Sequence, residues 1–156
     1  MLDPNPIATS DWKYNFKQLI DSKSYVDFNQ GIDIRLMTEE KAEMIKQVKV
    51  KYIHFAWDRY EDKEMIIPKF KMFRNMTGWD HHKIQVYVLT NFDSTFEQDL
   101  ERIYTLRDLD VAPYIMIYDK EHLPKNHQLR KLQRYVNMRA IFWSVNSFEE
   151  YQKKCD

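Results

Sequence analysis

One polar segment, which follows a predicted strand, carries the densest set of chemically capable side chains in the chain. Asn29 and Gln30 can recognise the polar edge of a ligand, and Gly31 permits a close turn. Asp33 can accept hydrogen bonds from a pair of hydroxyls, and Arg35 can bind a carboxylate or a phosphate through two parallel hydrogen bonds. The alternative interpretation is a satisfied turn in which Asp33 and Arg35 form an ion pair, since polar loops are common.

Further polar side chains lie at the predicted ends of other strands and in a turn near the N-terminus. Asp58 ends the strongest predicted strand and could hold an amine or a ribose, or it could cap the next segment. Thr90 and Asn91 follow another strand, where turn formation is the alternative role. Asp3 and Asn5 lie in a proline-rich turn, where an Asx turn is the alternative.

The histidines and the single cysteine give weaker signals. His81 and His82 suggest a metal, but neighbouring residues of one element point apart and no third ligand is spaced nearby, so a solvated loop is predicted. His54 alternates within a strand and is predicted to be a hydrogen-bonded interior residue. Cys155 is the only cysteine, which excludes a disulfide framework and any metal site of several cysteines. A reducing, cytoplasmic setting is the natural expectation.

Composition excludes several classes of function. A chain of 156 residues fits a single domain, 1–156. Its 24 Lys and Arg residues balance 24 Asp and Glu residues, which is not the charge distribution of a general nucleic-acid binder. Two glycines are too few for a phosphate-binding or dinucleotide-binding loop. No window approaches about 18 consecutive apolar residues, so no membrane span is predicted.

Short β-rich runs alternate with longer amphipathic segments. Strands are predicted at 25–28, 48–56, 84–89, 111–118 and 140–145, with 1–2 as the tail of a further strand. Helices are predicted between them at 10–21, from 38, near 64–76, at 94–107, after 124 and from 147. This alternation predicts right-handed βαβ units and an α/β fold with a parallel sheet, either open and doubly wound or an arc of a (β/α) barrel. In both, ligands bind at the loops that follow the carboxyl ends of the strands.

Several blocks of the sequence resemble the radical SAM proteins, in particular the bacterial and phage-associated members that are similar to Fe–S oxidoreductases. The blocks are 26–41 (VDFNQGIDIRLMTEEK), 52–58 (YIHFAWD), 86–91 (VYVLTN), 99–103 (DLERI) and 113–118 (PYIMIY). The likeness runs from about residue 2 to residue 151 and is most specific in 27–41. It implies a partial (β/α)6 barrel, of which this chain would hold the later strands.

The resemblance also implies cofactors. In that family three cysteines spaced Cys-x3-Cys-x2-Cys hold a 4Fe–4S cluster, which binds S-adenosylmethionine and cleaves it to a 5′-deoxyadenosyl radical. This chain has no such motif, so the resemblance implies a fragment of a larger radical SAM domain that is inactive alone. S-adenosylmethionine and the cluster would belong to the full-length protein, and the substrate is left open.

By position, the resemblance assigns cofactor contacts to the first half of the chain. Asp3 and Asn5 would face the amino group of S-adenosylmethionine from the second strand of the family's barrel. Gln30, Asp33 and Arg35 would approach the ribose or the carboxylate from the third strand.

The remaining contacts follow the later strands. Asp58 would take the place of the polar residue that ends the fourth strand. Thr90 and Asn91 would lie near the adenine or the substrate, and Tyr118 would end the sixth strand. The family's Gly-Gly-Glu element is not present in this sequence.

Two other functions stay open. A cofactor-free α/β interaction module would hold a protein partner through exposed aromatic residues such as Tyr14, Trp79 and Tyr135. An open-sheet hydrolase or receiver-like domain ranks last, because a nucleophile and the expected acidic pocket are missing. A barrel without its first strand would expose a sheet edge, so self-association, or an N-terminal segment over the gap, is also expected.

Overall fold

A computed structural model describes residues 5–155 and contains one four-stranded sheet. Its strands are β1 Val26–Asp33, β2 Val50–Trp57, β3 Ile84–Thr90 and β4 Ala112–Ile117. All neighbouring pairs are parallel, and the spatial order is β1-β2-β3-β4. The predicted α/β fold with a parallel sheet of βα units is confirmed, and the sheet is open rather than closed into a barrel.

Seven α-helices occur in the described residues. They are α1 Trp12–Ser22, α2 Glu39–Gln47, α3 Lys63–Thr77, α4 Phe96–Asp108, α5 Gln128–Asn137, α6 Arg139–Ser144 and α7 Phe148–Cys155. Side-chain caps fix where several of them begin. The Thr38 hydroxyl accepts a hydrogen bond from the backbone of Lys41, and Thr95 and Gln98 form a capping box. None of these helices combines the length and the apolar composition that a membrane crossing needs.

The helices cover one face of the sheet. Phe55 lies on that face, with ring centroids 5.5 Å from Phe70 and 5.2 Å from Phe73, both in edge-to-face contact. Val86 and Val88 of β3 are fully buried there. Consecutive strand order with right-handed crossovers places the connecting helices on the same face, because the winding direction never reverses. A doubly wound sheet is therefore excluded for the described residues.

The other face of the sheet carries aromatic side chains and no described helix. His54 stacks on Tyr87 at 5.2 Å, and Tyr87 meets Tyr114 edge-on at 5.8 Å. Tyr52 and Tyr114 are each more than a third exposed. The apolar run of β3 suggests a strand covered on both faces, and this expectation is wrong, because alternate residues of β3 are buried on one side only.

The strand predicted at 140–145 is wrong, since those residues lie in α6 and the turn after it. Helix α5 occupies the place that a fifth strand would need. Asn137 bonds both backbone groups of Ile115 in β4, accepting from its N–H at 2.8 Å and donating to its carbonyl at 3.0 Å. Gln133 donates to the same carbonyl at 3.0 Å. The apolar residues of 140–145 instead serve a helix that packs against α5.

Candidate functional site

A pocket of about 200 Å³ lies at the carboxyl ends of β1 and β2. Gly31 and Ala56 lie among the residues that line it, and a Cβ atom added at Gly31 would approach the Cβ of Ala56 to 3.0 Å. Trp57 and Ile66 also line the pocket, and the remaining five lining residues are charged: Asp33, Asp58, Asp62, Arg35 and Arg59. Three carboxylates against two guanidinium groups give the pocket a net negative charge, which favours a cationic or hydroxyl-bearing ligand.

Asp33 and Arg35 form the ion pair that was the alternative interpretation of this segment. The carboxylate accepts from the backbone N–H of Arg35 at 3.0 Å and from its guanidinium at 2.9 Å. The same guanidinium reaches Asp62 at 3.4 Å. Hydrogen bonding from the Arg35 side chain lowers the pKa of Asp33, so its carboxylate is ionised at neutral pH. Arg35 is thus engaged on two sides before any ligand arrives.

Asp58 differs from Asp33 because its carboxylate makes no hydrogen bond within residues 5–155. Asp58 is an exposed residue, and partial loss of water around its carboxylate raises the pKa of that group; the negative charges of Asp33 and Asp62 add to this rise. The positive charges of Arg102 and Arg35 act in the opposite direction. A carboxylate without a described partner in a polar pocket is free to accept hydrogen bonds from a ligand.

Arg102 of α4 organises this edge of the sheet and was not recognised from the sequence. Its side chain is fully buried and donates to the backbone carbonyls of Trp57 at 2.9 Å, Asp58 at 3.1 Å and Leu89 at 2.7 Å. Asp99, one turn earlier, supplies the countercharge. The pair thereby ties the end of β2 to the end of β3.

The sequence contained a usable signal for this pair. Asp99, Arg102, Ile103 and Leu106 are spaced so that they share one face of a helix, and all four are buried. Two opposite charges on an otherwise apolar helical face indicate a buried ion pair that serves the backbone nearby.

Trp57 also stabilises the backbone at the carboxyl end of β2. Its ring is almost fully buried, and the indole N–H donates to the carbonyl of Arg59 at 2.7 Å. This bond turns the chain directly after β2 and so sets the backbone on either side of Asp58. Trp57 is therefore a buried core residue that also lines the pocket.

Three other predicted residues form a separate group that does not line the pocket. Thr90 is fully buried on the helix-covered face, and its hydroxyl donates to the carbonyl of Met116 at 3.3 Å. The Asn91 side-chain amide donates to the carbonyl of Tyr118 at 3.0 Å. The ring of Tyr118 is half exposed and packs against Phe92. These contacts join the ends of β3 and β4.

Gln30 and Asn5 also lie apart from the pocket. Gln30 is exposed and belongs to β1, since that strand continues to Asp33 instead of ending at Phe28 as predicted. A bulge explains the difference, because pairing jumps from Phe28↔Ile53 to Ile32↔Phe55. The carbonyl of Asn5 accepts from the backbone of Ala8 in a turn. Asp3 lies outside the described residues, as does the strand tail predicted at 1–2.

The aromatic residues predicted to be exposed divide into three cases. Tyr14 is 65% exposed, as expected. Trp79 is half-buried and packs on the core beside Phe73. Tyr135 is fully buried, so its predicted exposure is wrong. Its hydroxyl donates to the carbonyl of Val145, which satisfies the polar end of the ring inside the core.

Comparison of the chain with models of protein families, with curated proteins and with solved structures finds no match in any of the three.

Proposed function

We propose that this chain is the later part of a radical SAM, Fe–S oxidoreductase-like domain. In the full-length protein, the pocket at the carboxyl ends of β1 and β2 would help to bind S-adenosylmethionine and the substrate. One observation carries the proposal: the Asp58 carboxylate has no described partner and lies in a pocket at the sheet edge where parallel α/β folds bind their ligands. The setting would be reducing and cytoplasmic.

The position of the resembling sequence blocks supports this proposal. Asp33 and Arg35 come from the block 26–41, and Asp58 ends the block 52–58. The fold brings Asp33 and Arg35 from the middle of the first block, and Asp58 from the end of the second, to one pocket. Residues that are far apart in sequence, and that carry the same resemblance, therefore meet at a single polar site.

The chemistry of the pocket suits one part of the cofactor. A carboxylate such as Asp58 can accept hydrogen bonds from an ammonium group or from ribose hydroxyls. A volume of about 200 Å³ is below the range of roughly 300–1,000 Å³ for whole small-molecule sites. The pocket would thus hold a portion of S-adenosylmethionine, and other parts of the full-length protein would hold the rest.

The residues of this chain do not fit the iron–sulfur cluster. Such clusters are held by several cysteine thiolates, and the chain has one cysteine. In this proposal the chain alone is not catalytic, and its own residues act only in binding and in holding the backbone that presents them.

The test uses the full-length reading frame, expressed anaerobically with iron and sulfide, and measures both S-adenosylmethionine affinity and 5′-deoxyadenosine release. Asp58→Asn should weaken binding by about 1–3 kcal/mol, because a charged hydrogen bond is lost. Asp119→Asn, which changes a carboxylate away from the pocket, should leave affinity unchanged. Unchanged affinity in Asp58→Asn, or a reading frame without a Cys-x3-Cys-x2-Cys motif before this segment, would contradict the proposal.

The uncovered face of the sheet favours a second candidate function, a cofactor-free interaction module that associates with a second copy of itself. Tyr52 and Tyr114 are exposed on this face, beside the stacked rings of His54 and Tyr87. The outer edge of β1 pairs with no described strand and could extend the same contact.

Sedimentation velocity across the micromolar range tests this candidate. Self-association that Tyr114→Glu abolishes and Tyr14→Glu preserves would support it, because Tyr14 is an exposed aromatic on α1, which packs on the helix-covered side of β1 rather than on the uncovered face. A monomer at every concentration would argue against it.

A further inference from the structure

Three potential metal ligands converge in the turn between α3 and β3. One ligand atom each from Asp80, His81 and His82 lies within 4.8 Å of those of the other two. The ring centroids of His81 and His82 are 4.1 Å apart. The sequence-based expectation that these two histidines point apart, with no third ligand nearby, is therefore wrong.

A hydrogen-bonded turn explains why neighbouring residues converge here. The carbonyl of Asp80 accepts from the backbone of Lys83 at 3.0 Å and of Ile84 at 2.9 Å. The Asp80 carboxylate accepts from the backbone N–H of His82 at 2.9 Å. These bonds curl the chain around Asp80, whereas a strand would send alternate side chains to opposite faces.

The ring of His81 is held in place from several sides. Its Nδ1 hydrogen-bonds the carboxylate of Asp110, and Arg74 donates to the second oxygen of that carboxylate at 2.9 Å. Trp143 stacks on the ring at a centroid distance of 4.0 Å. Arg139 donates to the His81 carbonyl at 2.9 Å.

This arrangement matches a recurrent feature of metal-binding histidines. Such residues hydrogen-bond a carboxylate through one ring nitrogen, which fixes the ring and leaves the other nitrogen for the ion. With Nδ1 on Asp110, the Nε2 of His81 is the nitrogen that faces away from that bond.

We propose that Asp80, His81 and His82 bind one divalent transition-metal ion of the zinc class, with solvent completing the coordination. Two imidazoles and a carboxylate are a ligand set that such ions accept. The site lies at the amino end of β3, the opposite edge of the sheet from the pocket at Asp58, and it does not depend on the function proposed above. Bound metal would hold the three ligands of the α3–β3 turn together, and the hydrogen bond of His81 with Asp110 already connects this turn to the loop that carries Asp110.

Calorimetric titration with Zn²⁺ tests the site. The protein should be untagged and carry Cys155→Ser, so that the single thiol supplies no competing ligand. We expect one ion per chain, with binding weakened at least tenfold by His82→Ala or by Asp80→Asn. Asp110→Asn should weaken binding by about 10–100-fold through the loss of its hold on His81.

The matched control is His122→Ala. His122 pairs with Asp119 much as His81 pairs with Asp110, but among the described residues it belongs to no group of three potential metal ligands. This variant should bind Zn²⁺ as the parent does. His82 is exposed, so its substitution leaves the fold intact, and circular dichroism can verify this.

Thermal unfolding gives a second readout. Zn²⁺ should raise the Tm of the parent more than that of His82→Ala at the same Zn²⁺ concentration, because an ion that binds only the folded chain stabilises it in proportion to its affinity. Binding without a defined stoichiometry, or binding that survives both His82→Ala and Asp80→Asn, would show an adventitious ion only and would overturn the proposal.

Discussion

Arginines hold both edges of the sheet, but in different surroundings. At the carboxyl edge, the side chain of Arg102 is fully buried, and its guanidinium binds the carbonyls that end β2 and β3. At the amino edge, the side chain of Arg74 is 27% exposed. It binds the carbonyls of Trp79 and Leu109 and the carboxylate of Asp110.

The difference shows how each edge uses its charges. At the carboxyl edge, Arg102 donates hydrogen bonds to the backbone carbonyls of the strand ends. The loop after β2 is therefore held by these bonds, and within the described residues the side chain of Asp58 makes no hydrogen bond to stabilise it. At the amino edge, the side chains of Asp110, His81 and Arg74 fix one another. A small molecule bound at the carboxyl edge would contact the carboxylate of Asp58, which has no described partner. A metal ion bound at the amino edge would instead contact side chains that hydrogen bonds already orient.

The largest expected effect comes from Arg102→Met. Removing one partner of a buried ion pair leaves the other charge uncompensated, which costs about 3–5 kcal/mol. The three strand-end carbonyls also lose their donor. Urea denaturation should show this loss in the free energy of unfolding. Arg59→Met is the control at the same edge, since Arg59 is exposed, and it should change stability little.

A smaller loss is expected from Arg74→Met. This guanidinium makes three hydrogen bonds, whereas that of Arg102 makes five, and its partial exposure lets water replace some of them, so we expect about 1–3 kcal/mol. The same denaturation experiment measures it. If Arg74→Met cost as much as Arg102→Met, burial would not be what distinguishes the two edges.

The alternation of segments predicted the sheet because βα units leave a strong periodic signal. Four of the five main strand predictions match a strand of the structure. The fifth, at 140–145, failed because residues of β-forming type can serve a short helix once Asn137 has satisfied the edge of β4. The hydrophobic pattern of a segment predicts which of its residues are buried, but it does not predict which element of the structure covers them.

The site was predictable in part for the same reason. Asp33 ends β1, Arg35 and Asp58 follow β1 and β2, and the three lie together, as strand-end topology requires. The burial of Thr90 also follows from alternation, since it shares the parity of Val86 and Val88 on the covered face. The contact between His81 and Asp110 spans 29 positions and depends on the packing of two loops, which local patterns do not encode.

The smallest expected effect is on the pH dependence of the unfolding free energy, to which two carboxylates of the pocket contribute with opposite sign. The pKa of Asp33 is lowered, chiefly by its hydrogen bond with Arg35, so its stabilising contribution is present above the ordinary value of 3.8 and is lost as pH falls through the folded-state pKa. The pKa of Asp58 is raised, chiefly by desolvation, so the folded state binds its proton more readily than the unfolded state does. Its contribution therefore becomes less favourable as pH rises through that window.

Unfolding free energies of Asp33→Asn and Asp58→Asn, measured from below to well above pH 3.8, test these opposite signs. Relative to the parent, Asp33→Asn should lose stability at neutral pH and converge with it in acid, because the ion pair with Arg35 is absent throughout. Asp58→Asn should gain stability at neutral pH and converge in acid, because it removes a charge that the pocket disfavours. If the unfolding free energies of the two variants changed with pH in the same way relative to the parent, the Asp58 carboxylate would already be stabilised by a partner. That result would contradict its assignment as the ligand-binding carboxylate of this edge.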